Sequence, residues 1–193
     1  MVIKILKKNI IKIPKNISIY FCKYNILTLI GPLGIKSIKL KTKIKIFNKN
    51  NFIAVTQFPI DTSNISINEK KKLKFLCGTY VAIIKQVINE ITQKSKKKIN
   101  IVGVGYRAMN INTLDFSILH LKLGYSHQIY IKIPKSLTLI CPKPTKIFIY
   151  GYKQQKINQL AALIKAYKMP EPYKGKCIFY DNENIILKEG KKI

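Results

Sequence analysis

The chain is 193 residues long, with 36 Lys or Arg against 8 Asp or Glu and a formal net charge of +28. That length fits one ordinary domain or two small ones, and a hydrophobic content of 47% is that of a globular protein. So large a charge opposes compaction unless a polyanion neutralises it, which points to nucleic acid first and an anionic membrane surface second. The scattered acids leave no paired carboxylates at helical spacing for acid–base catalysis.

Lys, Ile and Asn dominate the sequence, as drift in an AT-rich genome produces. Drift accounts for lysine in place of arginine and less well for the shortage of acids. Arg107 is the single arginine: either a site that needs the planar guanidinium fork or a chance survivor. Cys22, Cys77, Cys141 and Cys177 form no C-x-x-C pair, and His120 and His127 stand apart from most of them, so no zinc or other metal is expected. The cysteines read as small hydrophobes in a reducing compartment. No apolar run has the length of a membrane span, and Met1 to Lys8 lacks the marks of a signal or transit peptide. The expectation is a protein that acts where it is made.

Ile10 to Ile13 ends at Pro14, and Ile17 to Cys22 alternates as a strand. Tyr24-Asn25 turns the chain, and Ile26 to Ile30 returns it. Gly31-Pro32-Leu33-Gly34 is a turn. Ile35 to Phe47 alternates Ile with Lys and predicts one strand with a buried and a cationic face. After a turn at 48–51, Phe52 to Gln57 is a strand and Phe58 to Asn68 a polar loop. The period then changes. Leu73, Leu76, Cys77, Tyr80, Ile84, Val87, Ile88 and Ile91 share one helical face, with Asn68 and Glu69 at its start and Lys94 to Lys98 at its negative end. Ile99 to Gly105 is again a strand.

A second half follows. Asn110 to Thr113 turns, Leu114 to Leu123 alternates, Gly124 to His127 bends the chain, and Ile129 to Ile133 ends at Pro134. Leu137 to Ile140 and Ile147 to Tyr150 are further strands. Ile157, Leu160, Ala161 and Ile164 mark a second amphipathic helix over 153–168. Cys177 to Tyr180 is a last strand, and 188–193 an extended basic tail that moves unless bound. Ile13-Pro14-Lys15-Asn16-Ile17 is echoed by Ile133-Pro134-Lys135-Ser136-Leu137, and each half runs strands, helix, strand. The fold class is therefore α+β. Two tandem repeats, 1–98 and 99–193, are each an antiparallel or mixed sheet covered on one face by one helix.

Gly103-Val104-Gly105-Tyr106-Arg107-Ala108 fits G-x-G-x-x-A after a strand. A dinucleotide site also needs a helix starting inside the motif and an acid about twenty residues on. Here the chain turns at 110–113 and offers His127 and Gln128 instead. The glycines then serve a close approach of backbone or RNA, and no cofactor is expected. Ser126-His127 lacks the third member of a triad. The stretch from Lys168 to Ile178, with Pro170-Glu171-Pro172-Tyr173-Lys174-Gly175-Lys176 inside it, carries the most chemistry. Two prolines one residue apart fix φ and remove two donors, so it is a rigid extended loop. Tyr173 offers a stacking face, Lys174 and Lys176 offer charge, and Gly175 a backbone that can approach a ligand. The bend 124–127 and Lys153-Gln154-Gln155-Lys156 add cations, amides, a hydroxyl and aromatic faces. Phosphate and 2′-OH contacts with stacking suit RNA, whereas a DNA reader would want a recognition helix and both helices here cover sheets.

The chain resembles the large-subunit ribosomal protein family called L six, of bacterial or organellar type. The likeness rests on Gly78-Thr79, Val102 to Ala108, Leu121 to His127, Lys153-Gln154 through Ala161-Ala162, Pro170 to Lys176 and Lys188 to Lys192, and it covers nearly the whole chain. The resemblance implies two α+β repeats, no enzymatic activity and no small-molecule substrate. It implies a structural place in the large ribosomal subunit, bound to large-subunit rRNA near the factor-binding (sarcin–ricin) region, with neighbouring ribosomal proteins as partners. Tyr173, Lys174, Gly175 and Lys176 are then the first RNA contacts, with Lys168, Lys153, Ser126, His127, Arg107, Lys191 and Lys192 beside them. The family usually has Gly in place of Cys177 and Pro in place of Gln128, and 58–72 matches poorly. AT-rich composition without an import signal suggests an organelle-encoded protein, of the mitochondrion before the plastid, with an AT-rich bacterium as the alternative. The competing function is a basic protein for anionic membrane surfaces; lysine-rich strands and a rigid loop fit a shaped polyanion better.

Overall fold

The structure, a computed structural model, describes residues 9–22, 25–40, 52–56, 66–113 and 116–190, and the backbone of 44–49 and 57. The chain divides into two compact units, Met1–Gln93 and Lys94–Ile193. The first runs β1 (Ile10–Lys12), β2 (Ser18–Cys22), β3 (Ile26–Gly31), β4 (Gly34–Lys39), β5 (Ile44–Lys49), β6 (Phe52–Gln57) and α1 (Ile67–Thr92). Its strands form two antiparallel ladders, β1-β6-β5 and β2-β3-β4. Strand alternation turns Leu27, Leu29, Ile53 and Val55 inward, and helical spacing puts Cys77, Tyr80, Ile84, Ile88 and Ile91 of α1 in the same core.

The alternating stretch 35–47 is not one strand. β4 ends at Lys39, Leu40 turns inward with its amide bonded to Asn25 O at 2.8 Å, and β5 joins the other ladder. Nor does β4 have a fully buried face, since Ile35 is 66% exposed. The helix also starts earlier than Asn68. Ser66 is its cap, and the Ser66 hydroxyl accepts from Glu69 N at 3.4 Å, the S-x-x-E arrangement of a capping box. Ser66→Ala is expected to cost about 1 kcal/mol, read as a lower urea midpoint. The polar loop expected over 58–68 otherwise lies outside the described residues up to 65. At the other end no basic residue occupies the last turn, and Lys96, Lys97 and Lys98 belong to the next strand. Among the described residues one acid is buried: Glu90 pairs with Lys36 of β4 and accepts from Gln86 Nε2 at 3.0 Å.

The second unit runs β7 (Ser95–Val102), β8 (Arg107–Asn112), β9 (Ser117–Lys122), β10 (Ile129–Ile133), β11 (Leu137–Lys143), β12 (Lys146–Gly151), α2 (Gln154–Ala166) and β13 (Cys177–Tyr180). Its antiparallel ladders are β10-β9-β8 and β11-β12-β7-β13. Asn110 to Asn112, expected as a turn, continue β8. Asn110 holds an otherwise apolar register position by donating its Nδ2 to Leu139 O at 2.8 Å.

The architecture is α+β, and the units share one plan: the order β5-β6-β1 recurs as β11-β12-β7, and β2-β3-β4 as β8-β9-β10. β13 has no counterpart among the described residues of the first unit; the strand expected after the first helix, 99–105, exists as β7 and belongs to the second unit. The Ile-Pro-Lys echo does not mark the repeat either, because Pro14 precedes β2 whereas Pro134 precedes β11. What the two copies share is a turn: Ile17 N donates to Pro14 O at 3.2 Å, and Leu137 N to Pro134 O at 2.9 Å. Among the described residues no helix is long and apolar enough to cross a membrane.

Candidate nucleic-acid interface

Helix α2 delivers the chain to the proline loop. Ile157, Leu160, Ala161 and Ile164 bury one face of the helix, which stops at Ala166 with Tyr167 as its cap. Pro170 and Pro172 have no amide to give, and the remaining backbone closes the loop on itself. Glu171 N donates to Lys176 O (3.3 Å), Gly175 N to Glu171 O (3.1 Å) and Ile178 N to Lys168 O (3.1 Å). The tail is pinned here rather than free at its start, for Lys188 N donates to Pro172 O at 2.8 Å. Its last residues, with Lys191 and Lys192, lie outside the described residues.

Gly175 is buried, with φ +67, and a Cβ there would stand 3.1 Å from Leu187 Cδ2. The structure accounts for this glycine by chain geometry and by packing under Leu187. Beside its exposed prolines, the loop shows Tyr173, at 59%, and Lys174 to solvent, with Lys176 half-buried. Cys177 is fully buried and its thiol donates to Gly175 O; burial raises its pKa, with Glu183 adding to the effect.

The bend meets the loop through one ring. Tyr125 Oη donates to Tyr167 O at 2.9 Å, Lys168 Nζ lies 4.7 Å from the Tyr125 centroid, and the ring stacks with His127 at 5.6 Å and 17°. Lys168 and His127 thus share one surface, with Ser126 exposed in the same bend. Tyr125 joins them, yet sequence reasoning left it out of the contact residues; its signal was an aromatic residue between the Gly turn and Ser-His. Gln128, where the resemblance leads one to expect Pro, accepts from Tyr130 Oη.

Tyr106 supports the bend from behind. Its buried ring lies so close that a Cβ on Gly103 would sit 2.5 Å from its Cδ2, and one on Gly124 3.1 Å from its Cε1. Tyr106 N donates to Gly103 O at 3.3 Å. The G-x-G-x-x-A motif is therefore a turn closed on its own tyrosine: that ring is what approaches Gly103, while a Cβ on Gly105 would meet nothing within 4 Å. Arg107 follows, exposed and opposite Lys122, and so borders the bend. Lys153 precedes the first residue of the 13-residue α2. That places it about 20 Å from Lys168 along the helix axis, so it does not join this surface.

Several other lysines are committed within the unit. Lys165 pairs with Glu183 and Lys98 with Asp181, each at 2.5 Å, and Lys97 donates to Asn158 Oδ1 at 3.1 Å. Hydrogen bonds from Lys98 and Asn100 hold Asp181, and one from Lys165 holds Glu183, below the ordinary carboxylate range. A depressed pKa stabilises the fold above the unfolded value, near 4, and that contribution is lost as pH falls through the lower folded value. The thermal midpoint should therefore drop on acidification below about pH 4. It should drop less steeply in the Asp181→Asn/Glu183→Gln variant.

These features define a class: a basic α+β protein of two repeated sheet-plus-helix units. The family model described as Ribosomal protein L6 matches residues 102–181, which hold the bend, α2 and the proline loop. The chain is 42% identical over 184 residues to the large ribosomal subunit protein uL6 of Mycoplasmoides gallisepticum, covering 94% of this chain and 93% of that one. It is 38% identical over 182 residues to uL6 of Mesoplasma florum, covering 94% of each. With uL6 of Afipia carboxidovorans the identity is 39% over 163 residues, or 84% of each. The chain belongs to the ribosomal protein L6 family, whose members are structural and not enzymatic.

Proposed function

We propose that this protein is a structural component of the large ribosomal subunit that binds large-subunit rRNA through its second unit, near the factor-binding region. The observation that carries this reading is the junction at Tyr125. It sets a lysine over an aromatic ring, with a second ring stacked beside it, next to a loop whose backbone is closed and which exposes Tyr173 and Lys174. Fixed cations beside exposed rings can bind phosphate and stack on bases at little ordering cost. Arg107 at the border adds a bidentate donor. The relatives named above are bacterial, which supports a bacterial ribosome among the expected locations; the mitochondrial and plastid readings rest on composition alone.

The test is a salt series of the full chain on large-subunit rRNA. Lys168→Ala and Lys174→Ala are each expected to weaken binding and lower the slope of log K against log salt by about one. Lys153→Ala serves as the comparison from the far end of α2. Slopes unchanged in both loop variants would remove the site from this surface. Equal affinity for anionic vesicles and for the RNA would return the protein to the membrane reading.

A further inference from the structure

The second unit has another face, which meets the loop-and-bend surface only at Arg107. In the ladder β10-β9-β8, Ala108, Leu119, Leu121, Ile129, Ile131 and Ile133 point into the core. Alternation puts their neighbours on the opposite face. The register orders that face in three rows: Arg107 beside Lys122, then Met109, His120 and Tyr130, then Ile111, Ile118 and Lys132. Tyr130 is 58% exposed, and its ring stacks on His120 at 5.0 Å and 20°. Its hydroxyl is tied to Gln128 Oε1. β10 is the terminal strand of its ladder, so Tyr130 has a ring neighbour on one side and the edge of the ladder on the other. Two residues of rise separate the rows, so the cations stand about 7 Å to either side of the ring pair. The three strands contain no Asp or Glu.

We infer that this face is a second RNA contact, one that takes an unpaired nucleotide. The base stacks on Tyr130, and the flanking phosphates meet Lys132 on one side and Lys122 with Arg107 on the other. Cations at both ends and no acid within the strands favour a polyanion over a protein partner. A ring on an open sheet face selects unstacked bases, since a duplex buries its base faces against each other. Stacking on His120 and the bond to Gln128 fix the ring beforehand, so little side-chain freedom is lost on binding. The inference rests on RNA as the partner, but not on the loop and bend as its site.

The test is fluorescence anisotropy of a short labelled oligoadenylate with the full chain. Tyr130→Leu is expected to weaken binding about tenfold, and Tyr130→Phe to leave it within about twofold, because the ring face and not the hydroxyl does the stacking. The ratio between Tyr130→Leu and the parent should persist in a Lys174→Ala background. Circular dichroism checks that the exposed substitution leaves the fold intact. Unchanged oligomer affinity in folded Tyr130→Leu overturns the inference, and so does an equal loss in Tyr130→Phe. Undiminished oligomer binding with loss of a neighbouring protein from reconstituted subunits would assign the face to protein and overturn it as well. Failure of the loop-and-bend reading shows separately, as unaltered salt slopes in Lys168→Ala and Lys174→Ala.

Discussion

Gly103→Ala is expected to destabilise the protein by about 3 kcal/mol and to weaken RNA binding with it. Two effects add. At φ +155 the backbone is in a region that L side chains rarely adopt. The new methyl would also stand 2.5, 2.6 and 2.8 Å from three atoms of the Tyr106 ring. The ring has little room to retreat, because Gly124 already lies against its other edge and the residue is 8% exposed. A displaced ring moves the bend that carries Tyr125 and His127, which is why binding should fall too. Gly105→Ala is the control: φ is +77 there, and a Cβ meets nothing within 4 Å. It should show strain alone, about 1–2 kcal/mol. Equal urea midpoints for the two variants would mean that the ring is not confined as described.

Lys36→Ala should cost about 3 kcal/mol, the lower end of what removing one partner of a buried ion pair does. Glu90 is 4% exposed, so its carboxylate would remain in the core of the first unit with Gln86 bonded to one oxygen. Lys36 is 26% exposed, which keeps the effect from the upper end of the range. Adding Glu90→Gln removes the stranded charge, and the double variant should recover most of the loss. A double variant as unstable as Lys36→Ala alone would show that packing of the lysine stem, not charge, is what was lost.

Much of the fold is legible where an element has one wet face and one buried face. Period two is clean in β10, where Ile129, Ile131 and Ile133 are buried and Tyr130 and Lys132 are not, and period 3.6 is clean in α2. A pattern of alternation does not report where a strand stops if the next strand alternates too, which is why 35–47 reads as one element. The start of α1 was available in Ser66 and Glu69, a local rule that the apolar period of the helix overshadowed. The Ile-Pro-Lys echo misleads for the opposite reason: a short turn recurs wherever a strand must be entered, whatever its place in the plan. As for the site, two prolines announce the loop. Its meeting with the bend spans 42 residues of sequence through Tyr125 and a backbone carbonyl, and no local spacing carries that.

β13 gives the molecule an asymmetry of inheritance. After its helix, the first copy hands the chain on to become the second copy, so its exit is spoken for. In the second copy the chain leaving α2 instead doubles back and lies against β7. The doubling-back is the loop that displays Tyr173 and Lys174. The loop thus belongs to the strand that the second unit adds and not to the repeated plan. Joining residue 166 directly to another copy would remove the loop together with β13 and leave β7 as the edge strand of its ladder.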